Sequence, residues 1–480
     1  MADTGITDDR SQADGRPDEL TRSITGRLLY FYVLGDVLGS GIYVLIGAVA
    51  GAVGGAFFLA FAVGVTVATL TGLAYAELVT KYPQAAGAAL YVNKAFRNKP
   101  LTFLITISFL SSSFAASGSL ASGFAEYFLS VWDLPPVLLI TLAFLLALTI
   151  INFIGITESV VTNMLMTFVE VAGLIVVMII GVWYIAQGNA DFGTLTEFTS
   201  EGSPILAVVS GVALAFFAMT GFENAANVAE ETIDPKKAFP RALVGGMISA
   251  GVIYVLVAIA AALTVDVGTL ADSDAALLEV VKAGIIPVPV GFMTILFAII
   301  AMIAITNTTL VSVVTQSRIL YGMAKEDVVP SAFAKIHPTR RSPVFGLAFS
   351  FVVVAGLLIV GTLLNRAGAG IDVVERLATV TVVFLLFIYA LVIVSCLKLR
   401  GHDEDEDTFR ANTPLLIIGL VGNLVLLGYV LYDDPASLWW VGGLLAIGVV
   451  LYLVEVAMGS RNRPPGAERG DPGIAREGDR

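Results

Sequence analysis

Long apolar runs alternate with short polar segments along the whole chain, and each run is long enough to cross a bilayer as a helix. Twelve spans are predicted, at 28–51, 54–79, 101–129, 136–154, 159–186, 204–231, 240–264, 287–318, 343–364, 377–398, 413–432 and 438–458. Met1–Thr21 and Gly459–Arg480 are polar, charged and poor in large apolar residues, the composition of disordered tails. The first of these lacks the apolar core of a signal peptide. Between spans 2 and 3, Gly87–Arg97 reads as a short amphipathic helix on the cytosolic face. Asp266–Ile286 places Leu270, Leu277, Leu278 and Val281 among acids, the pattern of a lid helix on the outer face.

Two spans carry an interruption at mid-depth. In the first, Leu34–Gly47, Gly39 and Gly41 flank Ser40 where lipid offers no water to satisfy loosened backbone. A break there leaves free N–H groups at the start of a second half-helix, and with its dipole they form an anion site. The simpler alternative is close packing of two helices through small residues. The sixth span reads Thr220-Gly221 at mid-depth, followed by Glu223, Asn224 and Asn227, polar residues that need a bundle interior or a wet cavity. Five spans separate the two interruptions, so the broken helices enter from opposite sides. Paired breaks in inverted halves point to a transporter's binding site. The expected architecture is therefore all-α and polytopic, twelve transmembrane helices built as a 5+5 inverted repeat. The repeats cover 28–186 and 204–398, helices 11 and 12 cover 413–458, and tails cover 1–27 and 459–480.

Composition strengthens the membrane reading. Hydrophobic residues make up 57% of 480, charged residues only 14%, and mean hydropathy is +0.88, a combination foreign to soluble domains. Cys396 is the single cysteine and both histidines, His337 and His402, lie in polar connections. Disulfides within the chain, a thiolate metal cluster and an intramembrane histidine site are thereby excluded. The net charge of −12 argues against a nucleic-acid partner. The acidic run 403–407 reads as a solvated loop. With both termini in the cytosol, all but Lys282, Arg366 and Arg376 of the 27 basic residues fall on the inner side, which fixes the expected orientation in the cell membrane.

Several ordered motifs resemble those of the amino acid–polyamine–organocation transporter superfamily, in particular its cationic-amino-acid-transporter-like members. They are Gly39-Ser40-Gly41-Ile42-Tyr43, Tyr82-Pro83 with Gly87 and Tyr91, Gly221-Phe222-Glu223, and the Glu230–Arg241 loop with Pro235, Lys236, Lys237 and Pro240. Ser317-Arg318 with Tyr321 and Pro330, then Ala334–Pro338, complete the set. Three positions depart from the pattern. Glu170 stands where members often carry a lysine, Asp36 replaces an apolar residue, and the loop after Gly87 lacks a second glycine.

The resemblance implies a LeuT-like permease with an amino acid held between the two breaks. The substrate carboxylate would take backbone N–H groups of Ser40, Gly41 and Ile42. Its ammonium would face carbonyls near Val37, Phe217, Ala218 and Thr220, with Phe216 and Phe217 as candidate gates. Intramembrane acids are functional candidates by default, so Glu223, Asp36 and Glu170 are candidates for coupling, Glu223 foremost. Thr306 and Thr309 on span 8 are the hydroxyls available for a sodium site between spans 1, 5 and 8. Glu77 and Glu126 near span ends suit ion pairs with loop Lys or Arg, and Glu230 and Glu231 suit pairing with Lys236, Lys237 or Arg241.

These observations predict a secondary transporter driven by a proton gradient, with no cofactor, and with an amino acid and the lipid bilayer as partners. Sodium coupling and transport of a polyamine or other organic cation are the alternatives within transport. A non-transporting sensor lacks a signalling domain to speak for it, and a membrane-embedded enzyme lacks a nucleophile, base or metal set. No Gly-x-x-x-x-Gly-Lys-Ser/Thr loop is present for nucleotide-driven pumping. The oligomeric state is not legible in the sequence.

Overall fold

The structure is a computed structural model that describes residues 24–83, 87–132, 136–154, 160–199, 203–229, 231–325, 328–338, 340, 342–402 and 408–462. Glu230, the run 403–407, and the tails up to residue 23 and from residue 463 lie outside the described residues. The first span is two helices, α1 (Gly26–Leu38) and α2 (Gly41–Val53), bent by 41° at Gly39-Ser40. There follow α3 (Phe58–Lys81), α4 (Gly87–Phe96), α5 (Lys99–Leu129), α6 (Val137–Ile154) and α7 (Val160–Ala186). The sixth span is α8 (Pro204–Ala218) and, beyond a turn, a 3₁₀ segment Phe222–Val228. The remaining helices are α9 (Pro235–Thr264), α10 (Val267–Ala271), α11 (Ala276–Lys282), α12 (Val290–Lys325), α13 (Val344–Leu364), α14 (Val373–Lys398), α15 (Thr413–Asp433) and α16 (Ser437–Asn462). Among the described residues eleven helices are long and apolar enough to span, twelve with α1 and α2 as one broken span.

Helix starts follow local chemistry. Thr25, Asn98 and Asp372 each cap a first turn by accepting an N–H at 3.0 to 3.3 Å. Proline opens α8 and α9, where its missing N–H costs nothing. Burial then sorts the bundle. In its most apolar stretch α14 is 78% buried and α16 only 17%, so span 10 is central and span 12 lies at the lipid boundary. Around the breaks, α9 packs along α1 and α3, while α5 lies against α12 and α14.

Three expectations change in detail. Ile24–Arg27 is not tail: the Ile24 N–H donates to the Glu231 carbonyl at 2.9 Å, and Ile233 N–H to the Ile24 carbonyl at 2.8 Å. This short strap ties the start of α1 to the loop after span 6, and α16 continues through Gly459–Asn462. In that same loop Lys237 pairs with Asp234, 3.4 Å away on the exposed surface. The amphipathic α4 forms where expected and buries Tyr91 and Val92 against protein, next to α5 and α14. The lid segment consists of the two short helices α10 and α11, with Leu270, Leu277, Leu278 and Val281 all buried. It sits so close to α2 that a Cβ on Gly47 would lie 2.5 Å from the Leu270 carbonyl oxygen.

A buried ion pair joins the end of α3 to the end of α14. Arg400 donates from Nε and Nη2 to the two oxygens of Glu77 at 3.0 and 2.8 Å. Glu77 also accepts the Ala411 N–H at 2.8 Å, so one carboxylate joins α3, the end of α14 and the approach to α15. Removing one partner of such a pair strands a buried charge, at a cost of about 3–5 kcal/mol. Arg400→Ala should lower the thermal unfolding midpoint of the purified protein markedly. Arg400→Lys should recover only part of the loss, because an ammonium cannot reproduce the forked geometry.

Candidate functional site

The two breaks meet backbone to backbone. A Cβ on Gly41 would lie 2.5 Å from Ala218 Cα, and one on Gly221 would lie 2.6 Å from the Asp36 carbonyl oxygen. Gly221 also has φ +112°, a conformation that a side chain would strain. Close packing and backbone loosening, alternatives in the sequence, therefore coincide here. The glycines let two interrupted helices touch at the depth where each has lost its own hydrogen bonds.

The loosened groups find partners on other helices. Val44 N–H donating to the Ser40 carbonyl at 3.1 Å opens the ladder of α2, which leaves the N–H groups of the first turn without an intrahelical acceptor. Ser40 N–H donates to Thr308 Oγ1 at 3.4 Å. Tyr254 on α9 sends its hydroxyl to the Val37 carbonyl at the end of α1 and, at 3.2 Å, to the Ala218 carbonyl at the end of α8. One hydroxyl thus spans the C-terminal ends of both first halves. Glu223 completes the set, since its Oε2 accepts the Gly221 N–H at 2.9 Å and the Tyr389 hydroxyl at 2.7 Å. Tyr389 is itself wedged among aromatic rings, 5.1 Å from Phe222 and 6.1 Å from Phe216 and Tyr75.

A cavity of about 60 Å³ opens at this junction. Asp36, Val37, Ser40, Gly41 and Glu223 border it, as do Phe217, Ala218 and Thr220. The cavity brings together most of the residues expected at the site. Ile42 and Phe216 are fully buried beside it without bordering it, and Phe216 packs on Tyr389. The carbonyls expected to face an ammonium are already engaged. Val37 and Ala218 accept from Tyr254, and Phe217 accepts from the Thr220 hydroxyl at 2.7 Å and its N–H at 3.2 Å.

Glu170 lies one layer behind. Its Oε1 accepts Asn307 Nδ2 at 3.0 Å, and its main-chain carbonyl accepts the Tyr43 hydroxyl at 2.7 Å. Thr306 and Thr309 turn to their own helix, donating to Met302 and Ile305 carbonyls at 2.6 and 2.7 Å, as hydroxyls in membrane helices do. Thr308, between them, is the span 8 hydroxyl at the break. Sequence reasoning missed Thr308, Tyr254 and Tyr389. The available signal was a tyrosine at the middle of each of two apolar spans, because a buried phenol needs a hydrogen-bond partner.

Against known sequences, residues 28–453 match the family described as amino acid permease. The chain belongs to that family. The permease is 26% identical over 344 residues to cationic amino acid transporter 9, chloroplastic, of Arabidopsis thaliana, covering 67% of this chain and 58% of that relative. It is 24% identical over 399 residues to the branched-chain amino acid permease BcaP of Bacillus subtilis, covering 78% and 79%. It is 23% identical over 474 residues to the methylthioribose transporter of the same species, covering 92% and 95%. In fold the permease is similar to the crystal structure of an Eremococcus coleocola manganese transporter mutant, with a TM-score of 0.59, 13% identity and coverage of 90% and 93%. The all-α fold with broken first and sixth spans is thus that of a transporter family, and the permease is a multi-pass membrane protein, not an enzyme.

Tyr254→Phe keeps the ring and deletes the bridge between the breaks. A buried carbonyl left without its donor costs about 1–3 kcal/mol, so the unfolding midpoint should fall clearly. Tyr432→Phe, at a residue 84% exposed, should leave it unchanged. Equal midpoints for the two variants would mean that the bridge contributes nothing.

Proposed function

We propose that the protein is a secondary transporter that carries an amino acid across the cell membrane by alternating access, coupled to protons through Glu223. The observation that carries this reading is the cavity bordered at once by both breaks and by Asp36 and Glu223. The positive end of α2 at Ser40 and Gly41 suits the substrate carboxylate. The negative end of α1, reinforced by the Asp36 carboxylate, suits the ammonium, a different partner from the carbonyls that Tyr254 and Thr220 occupy. A zwitterion is thereby oriented along the broken helix.

Glu223 supplies the coupling step in this reading. Deprotonated, it holds Gly221 N–H and Tyr389 by charge-assisted hydrogen bonds, which ties the break in span 6 to α14. Protonation turns these into neutral bonds of roughly half the strength, and the break is freed to rearrange around substrate. The concentration of basic residues on one side supports both termini lying in the cytosol. A second reading, a polyamine or other organic cation as substrate, draws on the same two carboxylates bordering the cavity.

Glu223→Gln copies the protonated form at nearly constant shape. In proteoliposomes it should retain exchange of amino acid between the two sides and lose accumulation driven by an imposed pH gradient. A Glu223→Gln carrier that still concentrates substrate would exclude this residue. Loss of accumulation in Asp36→Asn alone would move the coupling to span 1. Exchange of spermidine with none of any amino acid would favour the second reading.

A further inference from the structure

The wall facing the breaks carries the most informative chemistry outside the residues used so far. It is contributed by α5, α12 and α14 and holds the hydroxyls of Ser112, Ser113, Thr308, Ser312, Thr315 and Thr381, and it holds no charged side chain. On α12, positions 308, 312 and 315 recur at helical spacing, one stripe about 10 Å long at 1.5 Å per residue. On α5, 112 and 113 lie one turn before Ala116 on the same face. Because successive spans run in opposite directions, Ser112, Ser113, Ser312 and Thr315 all lie on the side of the break from which α1 enters. A substrate held by its main chain at the breaks would lay its side chain along this stripe.

Several of these hydroxyls have already committed their hydrogen. Ser112 donates to the Phe109 carbonyl at 2.8 Å, Ser113 to the Ser312 carbonyl at 3.3 Å, and Thr381 to the Leu377 carbonyl at 2.9 Å. What they turn to the cavity is oxygen lone pairs. The hydroxyls of Ser312 and Thr315 have no hydrogen-bond partner among the described residues and border the cavity, so they can both donate and accept. We infer that this stripe is the side-chain subsite and that it selects a short, uncharged side chain bearing a hydroxyl or carboxamide. The inference rests on the amino acid reading of the site and names its substrate class.

Two physical arguments carry the selection. An apolar side chain of equal shape would cover the hydroxyls without replacing the water they bind, and sites built on hydrogen bonds reject such isosteres strongly. A cationic side chain would find neutral oxygens there and no carboxylate, since Asp36 is placed at the ammonium and Glu223 is held by Gly221 and Tyr389.

The test compares isosteres on the full-length purified protein. Binding of threonine against valine, asparagine against leucine, and lysine is measured by titration calorimetry and by competition for exchange in proteoliposomes. Threonine should bind at least ten-fold more tightly than valine, and asparagine more tightly than leucine. Ser312→Ala with Thr315→Val should bring the threonine-to-valine ratio near one. Valine equal to or tighter than threonine in the unaltered protein, or lysine tighter than both, overturns the inference and leaves the amino acid reading standing. Absence of binding by every amino acid tested overturns both.

Discussion

Everything at the centre of this protein depends on one constraint, that unwound backbone at mid-membrane must be hydrogen-bonded within the protein. Two spans are broken there, and they satisfy the constraint by touching each other. Gly41 lies against Ala218, and Gly221 lies against the Asp36 carbonyl. What the breaks cannot supply to each other comes from single side chains on intact helices, Tyr254 from α9, Thr308 from α12 and Tyr389 from α14 by way of Glu223. Each of these bonds ties a broken helix to a different part of the bundle, so a change at any of them is felt by the site.

The arrangement also separates two acids that composition alone would treat alike. Glu223 borders the cavity and holds the break in span 6, whereas Glu170 is held by Asn307 behind span 1 and borders no part of it. In the proposed reading, a proton arriving at Glu223 would weaken the bond that holds Gly221 at the edge of the cavity. Glu170 sits among Asn307, Tyr43 and Thr167, with Gly35 packed on Thr167, and shapes the floor beneath the first break. A separate carboxylate, Glu77, pairs with Arg400 and joins α3 to the end of α14.

Much of this was legible in the chain. Hydropathy reveals the spans because a bilayer demands uninterrupted apolar length, and Gly39, Gly41 and Gly221 reveal the breaks because a side chain at any of them would collide with a neighbour. Side-chain phase was harder to read. Consecutive residues of one kind point around a helix in every direction, so Thr306-Asn307-Thr308-Thr309 and Phe216-Phe217 do not reveal which hydroxyl or ring faces the break. The tyrosines were hidden for a related reason. In an apolar run, Tyr254 and Tyr389 count as hydrophobic bulk, and only the fold shows which distant carbonyl or carboxylate each hydroxyl reaches. Tail boundaries erred because the bonds of Ile24 to Glu231 and Ile233 join segments more than 200 residues apart.

The central claim is that the exposed start of α2, at Ser40 and Gly41, binds the carboxylate of an amino acid. It is tested most directly by comparing a transported amino acid with its carboxamide as competitors for binding to the purified protein. The amide keeps the ammonium and the side chain and removes only the negative charge that the helix end would hold. The account predicts that the amide fails to compete at concentrations where the free acid saturates the site. An amide that competes as well as the acid would contradict it.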